Sequence, residues 1–135
     1  MRLKKNHLVL AILMGVVAAI SVVATASNVH FVGTPTCTQS GGTVTCTGSL
    51  AGLGSQTTTI RATSQFTCTN RGGNQPGGLA SGQTGPITPQ NGRVNFTVKL
   101  TGSCPDGMTA TFGAVTITAI QGGQVVFTSE PIPIT

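Results

Sequence analysis

The chain has 135 residues, of which only 7% are charged, and it contains neither tryptophan nor tyrosine. Its formal net charge of +5 at pH 7 hints at an acidic partner, yet three of the seven basic residues (Arg2, Lys4 and Lys5) fall in the first five positions. Beyond them, Arg61, Arg71, Arg93 and Lys99 stand against Asp106 and Glu130, a scattered +2; phosphate recognition needs clustered charge, so no nucleic-acid partner is expected.

The N-terminus reads as an export signal. After the basic start, Leu8 to Ala24 is apolar apart from Ser21, and Ala24-Thr25-Ala26 has the small-x-small pattern of a cleavage site. The apolar run of 17 residues is just short of a comfortable membrane span, and no basic stop-transfer cluster follows it. Residues 1–26 are therefore expected to be a signal peptide and residues 27–135 a secreted, extracellular domain with no membrane contact after cleavage. An uncleaved N-terminal anchor is the alternative. The 109 exported residues make one domain with a modest core, for which covalent staples are useful.

Asn28 to Val32 reads as a first short strand. "TCTQSGGTVTCTG", Thr36 to Gly48, then alternates around Gly41-Gly42, a two-residue hairpin signal. With that turn, Ser40 faces Thr43, Gln39 faces Val44, Thr38 faces Thr45 and Cys37 faces Cys46. Counting outward from the turn puts the cysteines at a non-hydrogen-bonded position, where Cα atoms approach to about 4.5 Å. That lies inside the disulfide window of about 4.4–6.8 Å. Four cysteines in an exported domain allow three pairings; the register selects Cys37–Cys46 and leaves Cys68–Cys104 by exclusion. Metal binding is a poor alternative, because the exported part has one histidine, His30, and no zinc-type spacing.

Thr57 to Thr69 alternates with period two. Ile60, Ala62, Phe66 and Cys68 share one face and polar residues take the other, as in a half-buried strand. Asn70 to Gly92 is rich in glycine and proline and reads as a long irregular loop. Its entry, Asn70-Arg71-Gly72-Gly73-Asn74, puts bare backbone beside one guanidinium, a candidate anion or carboxylate nest. Arg93 to Thr101 alternates again, with Val94, Phe96, Val98 and Leu100 on one face. Ser103 to Gly107 is a turn by composition. Thr109 to Ile120 and Gln124 to Glu130 form a further hairpin around Gly122-Gly123, apolar on both faces. Pro131 and Pro133 mark a frayed or edge-strand tail.

No exported stretch has a helical apolar period. Short strands with regular turn signals predict an all-β fold, an immunoglobulin-like antiparallel sandwich of about seven strands with two disulfides.

The runs "HFVGTPTCTQSGGTVTCTG", "CTNRGGNQPGG" and "SCPDGMTA" resemble an uncharacterised family of small secreted proteins from Gram-positive soil bacteria, over most of the exported chain. The resemblance implies export and paired cysteines and brings no activity, ligand or catalytic residue. In overall style, though in no motif, the domain is also similar to the apoproteins that carry enediyne chromophores.

Catalysis is poorly supplied. A Ser-His-Asp arrangement has only His30 and Asp106 to draw on, and two-carboxylate chemistry only Asp106 and Glu130. No enzyme activity, metal or cofactor is expected. Threonine is the conspicuous surface residue, 22 of 109 exported positions, many as Thr-x-Thr pairs that share a strand face. The expected function is a non-catalytic structural or interaction module of the cell surface or extracellular matrix, meeting a cell-surface polymer or associating with itself through sheet edges. The alternative is a small-molecule carrier with a cleft beside residues 70–92.

Overall fold

The computed structural model describes residues 25–70 and 72–135. The predicted signal peptide, apart from Thr25 and Ala26, and Arg71 lie outside the described residues. The described residues form nine strands: β1 (His30–Phe31), β2 (Thr36–Ser40), β3 (Thr43–Ala51), β4 (Thr59–Asn70), β5 (Gly73–Gln83), β6 (Val94–Thr101), β7 (Thr109–Phe112), β8 (Thr116–Gln121) and β9 (Gln124–Thr128). No helix occurs among the described residues, so none there is long and apolar enough to cross a membrane.

Every strand pair is antiparallel, in two sheets. In the first, β1 and β2 lie end to end along one edge of β3, and β6 takes the other edge. In the second, β5 runs along one edge of β4, β7 and β8 lie end to end along the other, and β9 completes it beyond β8. The count of nine corrects the expected seven. Two lines are interrupted, at residues 32–35 and at 113–115, so the nine segments follow seven lines.

The inner faces meet in one apolar core. Cys37, Val44, Cys46, Leu50, Val94, Phe96, Val98 and Leu100 come from the first sheet; Ile60, Ala62, Ala80, Ile117 and Ala119 come from the second. The alternation of β6 is complete, with Val94, Phe96, Val98 and Leu100 buried and the residues between them exposed. The hairpin around Gly41-Gly42 has the expected register, Cys37 opposite Cys46. Both expected disulfides are present, Cys37–Cys46 with Cα atoms 4.1 Å apart and Cys68–Cys104 with 5.6 Å.

Residues 70–92 depart from the expected irregular loop. Nearly half of the stretch, Gly73–Gln83, is β5, paired with β4 from Arg61–Gln83 to Asn70–Gly73. Glycine and proline make it a poor strand by propensity, but it is an edge strand, where proline is tolerated. Gly77 is the extra residue of a bulge, since Phe66 pairs with Gly78 and Thr67 with Pro76. Beyond β5, Thr58 bridges Ile87, and Asn91-Gly92, both at positive φ (55° and 75°), turn the chain into β6.

Tertiary packing also orients β8. Ile117, Ala119 and Gln121 face the core, while Thr116, Thr118 and Ile120 are half-covered. Gln121 is only 4% exposed. Its Nε2 donates to Leu53 O at 2.7 Å, Thr58 Oγ1 at 3.0 Å and Gln56 O at 3.2 Å, which ties the 52–58 connection to β8. Gln121→Leu keeps the volume but strands these buried acceptors, at about 1–3 kcal/mol for each group left unsatisfied. We expect a loss of about 2–4 kcal/mol in urea denaturation, with faster amide exchange over residues 53–58. A variant as stable as the parent would show that water or repacking replaces the side chain.

The C-terminal tail is an edge segment and is not frayed. Ile132 pairs with Val115 of the second sheet, and two residues later Ile134 bridges Cys37 of the first in parallel. Thr135 N–H donates to Cys37 O at 2.9 Å. Pro131 and Pro133 occupy the alternate positions, where no N–H is required by the bridge.

Candidate ligand groove

β1 is an edge of the first sheet and β9 an edge of the second, and they meet through aromatic side chains. Phe31 and Phe127 make an edge-to-face contact, with ring centroids 5.2 Å apart and planes at 89°. Phe31 also lies 6.5 Å from Phe96 of the core, which anchors the pair to the interior. Beside this contact, where the tail crosses between the sheets, lies a groove of about 630 Å3. Val29, Phe31 and Pro35 form one apolar wall; Phe127, Ile132 and Pro133 form the other.

The floor of the β1 wall is set by local backbone chemistry. Asn28 is left-handed at φ 55°, a conformation asparagine tolerates. Its carbonyl lies 2.8 Å from His30 Nδ1. A carbonyl only accepts, so Nδ1 carries the proton and Nε2 of a neutral ring is an acceptor. Gly52 lets this segment lie against the end of β3: it sits at φ +82°, and a Cβ there would come within 2.6 Å of the Ser27 and Asn28 carbonyl oxygens.

The groove brings together His30 and Glu130, two residues 100 positions apart that the sequence reading had not paired. Asp106, the partner considered for His30, lies instead in the Pro105–Met108 turn between β6 and β7, closed by Met108 N–H to Pro105 O at 3.1 Å. Among the described residues, Glu130 has the only acidic side chain lining the groove, and no lysine or arginine lines it. The buried hydroxyl of Ser129 accepts the Ile117 N–H at 2.9 Å and so serves the backbone. Among the described residues, no group of three or more His, Cys, Asp or Glu side chains is placed to hold a metal.

A second concavity, about 740 Å3, lies at the β4–β5 bulge, beside the stretch where sequence reasoning placed a cleft. Its lining mixes Gln65, Thr67 and Thr111 with Pro76, Leu79 and Phe112. Asn70 and Gly73 are the last pair at the end where β4 meets β5. Asn70 Oδ1 accepts the Gly72 N–H at 2.7 Å, Gly73 pairs with Asn70, and Asn74 pairs with Thr69. These backbone groups are therefore largely engaged within the hairpin.

The outer face of the first sheet orders the threonines into rows. Thr36, Thr47 and Thr97 are in register, as are Thr38, Thr45 and Lys99, and Ser40, Thr43 and Thr101. Hydroxyls meet across strands, Thr36 with Thr47 at 3.0 Å and Thr43 with Thr101 at 3.4 Å, and Ser49 hydrogen-bonds Asn95.

Sequence reasoning found the disulfides and the threonine face but missed the groove. Its walls come from a first short strand, the last strand of the Gly122-Gly123 hairpin and a tail marked by two prolines, and no local signal brings these three segments together. Comparison with protein-family models, curated proteins and solved structures gives no match.

Proposed function

We propose that this protein is a secreted, non-catalytic binding module that carries a small, largely apolar molecule in the groove between β1 and the C-terminal tail. The observation that carries the proposal is the groove itself: about 630 Å3, walled by aromatic, aliphatic and proline side chains from both sheets. Ligand sites are concavities of this size and lining, with few polar groups. Two disulfides support export, because such bonds persist in oxidising compartments. We further propose an immunoglobulin-like sandwich, on the strength of seven lines divided three and four between facing sheets.

A neutral fluorescent probe such as N-phenyl-1-naphthylamine tests the reading. Its emission should rise on mixing with the secreted protein. Phe127→Ala should weaken binding by about tenfold or more, the worth of one buried aromatic side chain. Phe127→Leu, which keeps the β1–β9 contact apolar, should weaken it less, and Leu79→Ser at the second concavity should leave it unchanged. No enhancement, or enhancement lost with Leu79→Ser and retained with Phe127→Ala, would refute the site.

The rows of hydroxyls favour a second reading, contact of the first sheet's outer face with a cell-surface polymer. Retention on insoluble polysaccharide that disappears in a Thr45→Glu/Thr97→Glu variant would support it, leaving probe binding in the groove intact.

A further inference from the structure

We infer that the groove selects apolar molecules bearing a protonated amine. This inference rests on the carrier reading above and adds the chemistry of the ligand's polar end. Among the described residues, the one charged side chain lining the groove, with histidine counted as neutral, is that of exposed Glu130. Among the described residues no lysine or arginine lines it, so an anionic ligand meets no counter-charge from them. Two phenylalanine rings, Phe31 and Phe127, stand in the same groove, and an ammonium group is attracted to aromatic faces. His30 adds to the pattern. Its Nδ1 proton is committed to Asn28 O, so Nε2 of the neutral ring accepts a hydrogen bond and donates none.

Two of the hydroxyls lining the groove are engaged elsewhere. Thr36 is engaged with Thr47, and Thr135 donates to Cys37 O. The exported chain carries a formal +2, which by itself would disfavour a cation. Of the basic residues that carry it, Arg61, Arg93 and Lys99 lie outside the groove lining, and charge beyond about 8 Å is screened at physiological salt. The local carboxylate therefore decides the sign. An apolar body between Phe31, Phe127 and Ile132 with an amine towards Glu130 satisfies both parts of the site.

Three ligands of the same shape separate charge from shape: 4-phenylbutylamine, 4-phenylbutan-1-ol and 4-phenylbutanoate. Each is titrated at pH 7 into the full secreted protein and followed by amide chemical shifts. The amine should bind about two- to fivefold more tightly than the alcohol, the range expected for one solvent-exposed ion pair, and the carboxylate most weakly. Glu130→Gln, at an exposed position, should bring the amine down to the affinity of the alcohol measured on the same variant. High salt should narrow the difference in the parent. If the alcohol binds in the groove but the amine gains nothing, or its gain survives Glu130→Gln, the charge selection is refuted and the carrier reading stands. If no compound shifts the groove resonances, both are refuted.

Discussion

Replacing Cys68 and Cys104 together by serine should lower the stability by about 4 kcal/mol, the larger of the two losses expected from removing a single crosslink. Crosslinks act chiefly by restricting the unfolded chain, and the restriction grows with the loop closed. Cys68–Cys104 spans 36 positions and Cys37–Cys46 spans nine, which corresponds to about 3.8 and about 2.6 kcal/mol on chain entropy alone. Location narrows this difference. Cys104 sits partly exposed in the β6–β7 connection, and its bond fastens that crossover between the two sheets to the far end of β4. Cys37 and Cys46 are fully buried in the core, so Cys37→Ala/Cys46→Ala adds lost packing to lost crosslinking. For a domain of this size, 4 kcal/mol corresponds to a fall in melting temperature of roughly 15–30 °C. Removing both bonds should leave the chain unfolded, since small domains have about 5–15 kcal/mol in total. Denaturation of the two double variants under non-reducing conditions checks this. A Cys68→Ser/Cys104→Ser protein within about 1 kcal/mol of the parent would show that the crossover is held by packing alone.

The second large effect is expected at a glycine in β5. Gly82 lies opposite Ala62, on the inner face beside Ala80. A Cβ there would be 1.7 Å from Lys99 O and 2.8 Å from Lys99 C, both backbone atoms of β6. The small residues Ala62, Ala80 and Gly82 let the edge of the second sheet close against β6 of the first. A backbone strand cannot turn aside as a side-chain tip can, so Gly82→Ala must push β5 and β6 apart and open the core beneath them. Overpacking of this kind costs about 3 kcal/mol or more where no flexible neighbour can yield. Gly85→Ala is the matched control, because a Cβ at Gly85 meets nothing within 4 Å and its φ is ordinary; its effect should stay within about 0.5 kcal/mol. Thermal melts of the pair decide the matter, and equal melting temperatures would mean that the two sheets do not close at Gly82.

Much of this fold could be read in advance because its signals are local. Ile60, Ala62 and Cys68, and then Val94, Phe96, Val98 and Leu100, alternate within single strands, and the inward face of a strand is a property of a few adjacent residues. The hairpin at Gly41-Gly42 likewise sets its own register, and the register brings Cys37 against Cys46. The reading failed where pairing overrode composition. Glycines and Pro76 argue against a strand in β5, yet the exposed edge of β4 supplies hydrogen-bond partners from Arg61 to Asn70 and draws the segment into the sheet. Neither face of β8 was favoured by its sequence, because Gln121 looks like a surface residue until the carbonyls of Leu53 and Gln56 surround it.

The sequence by itself determined the all-β class, two strongly alternating strands and both crosslinks, since each follows from residue spacing and turn chemistry over short stretches. Only the tertiary structure decided that the 70–92 stretch extends a sheet, that the tail ties one sheet to the other, and that a groove exists. Phe31 and Phe127 are 96 positions apart, and nothing in either neighbourhood reports the other. They meet because two sheet edges pack side by side, and that closure is a property of the whole chain.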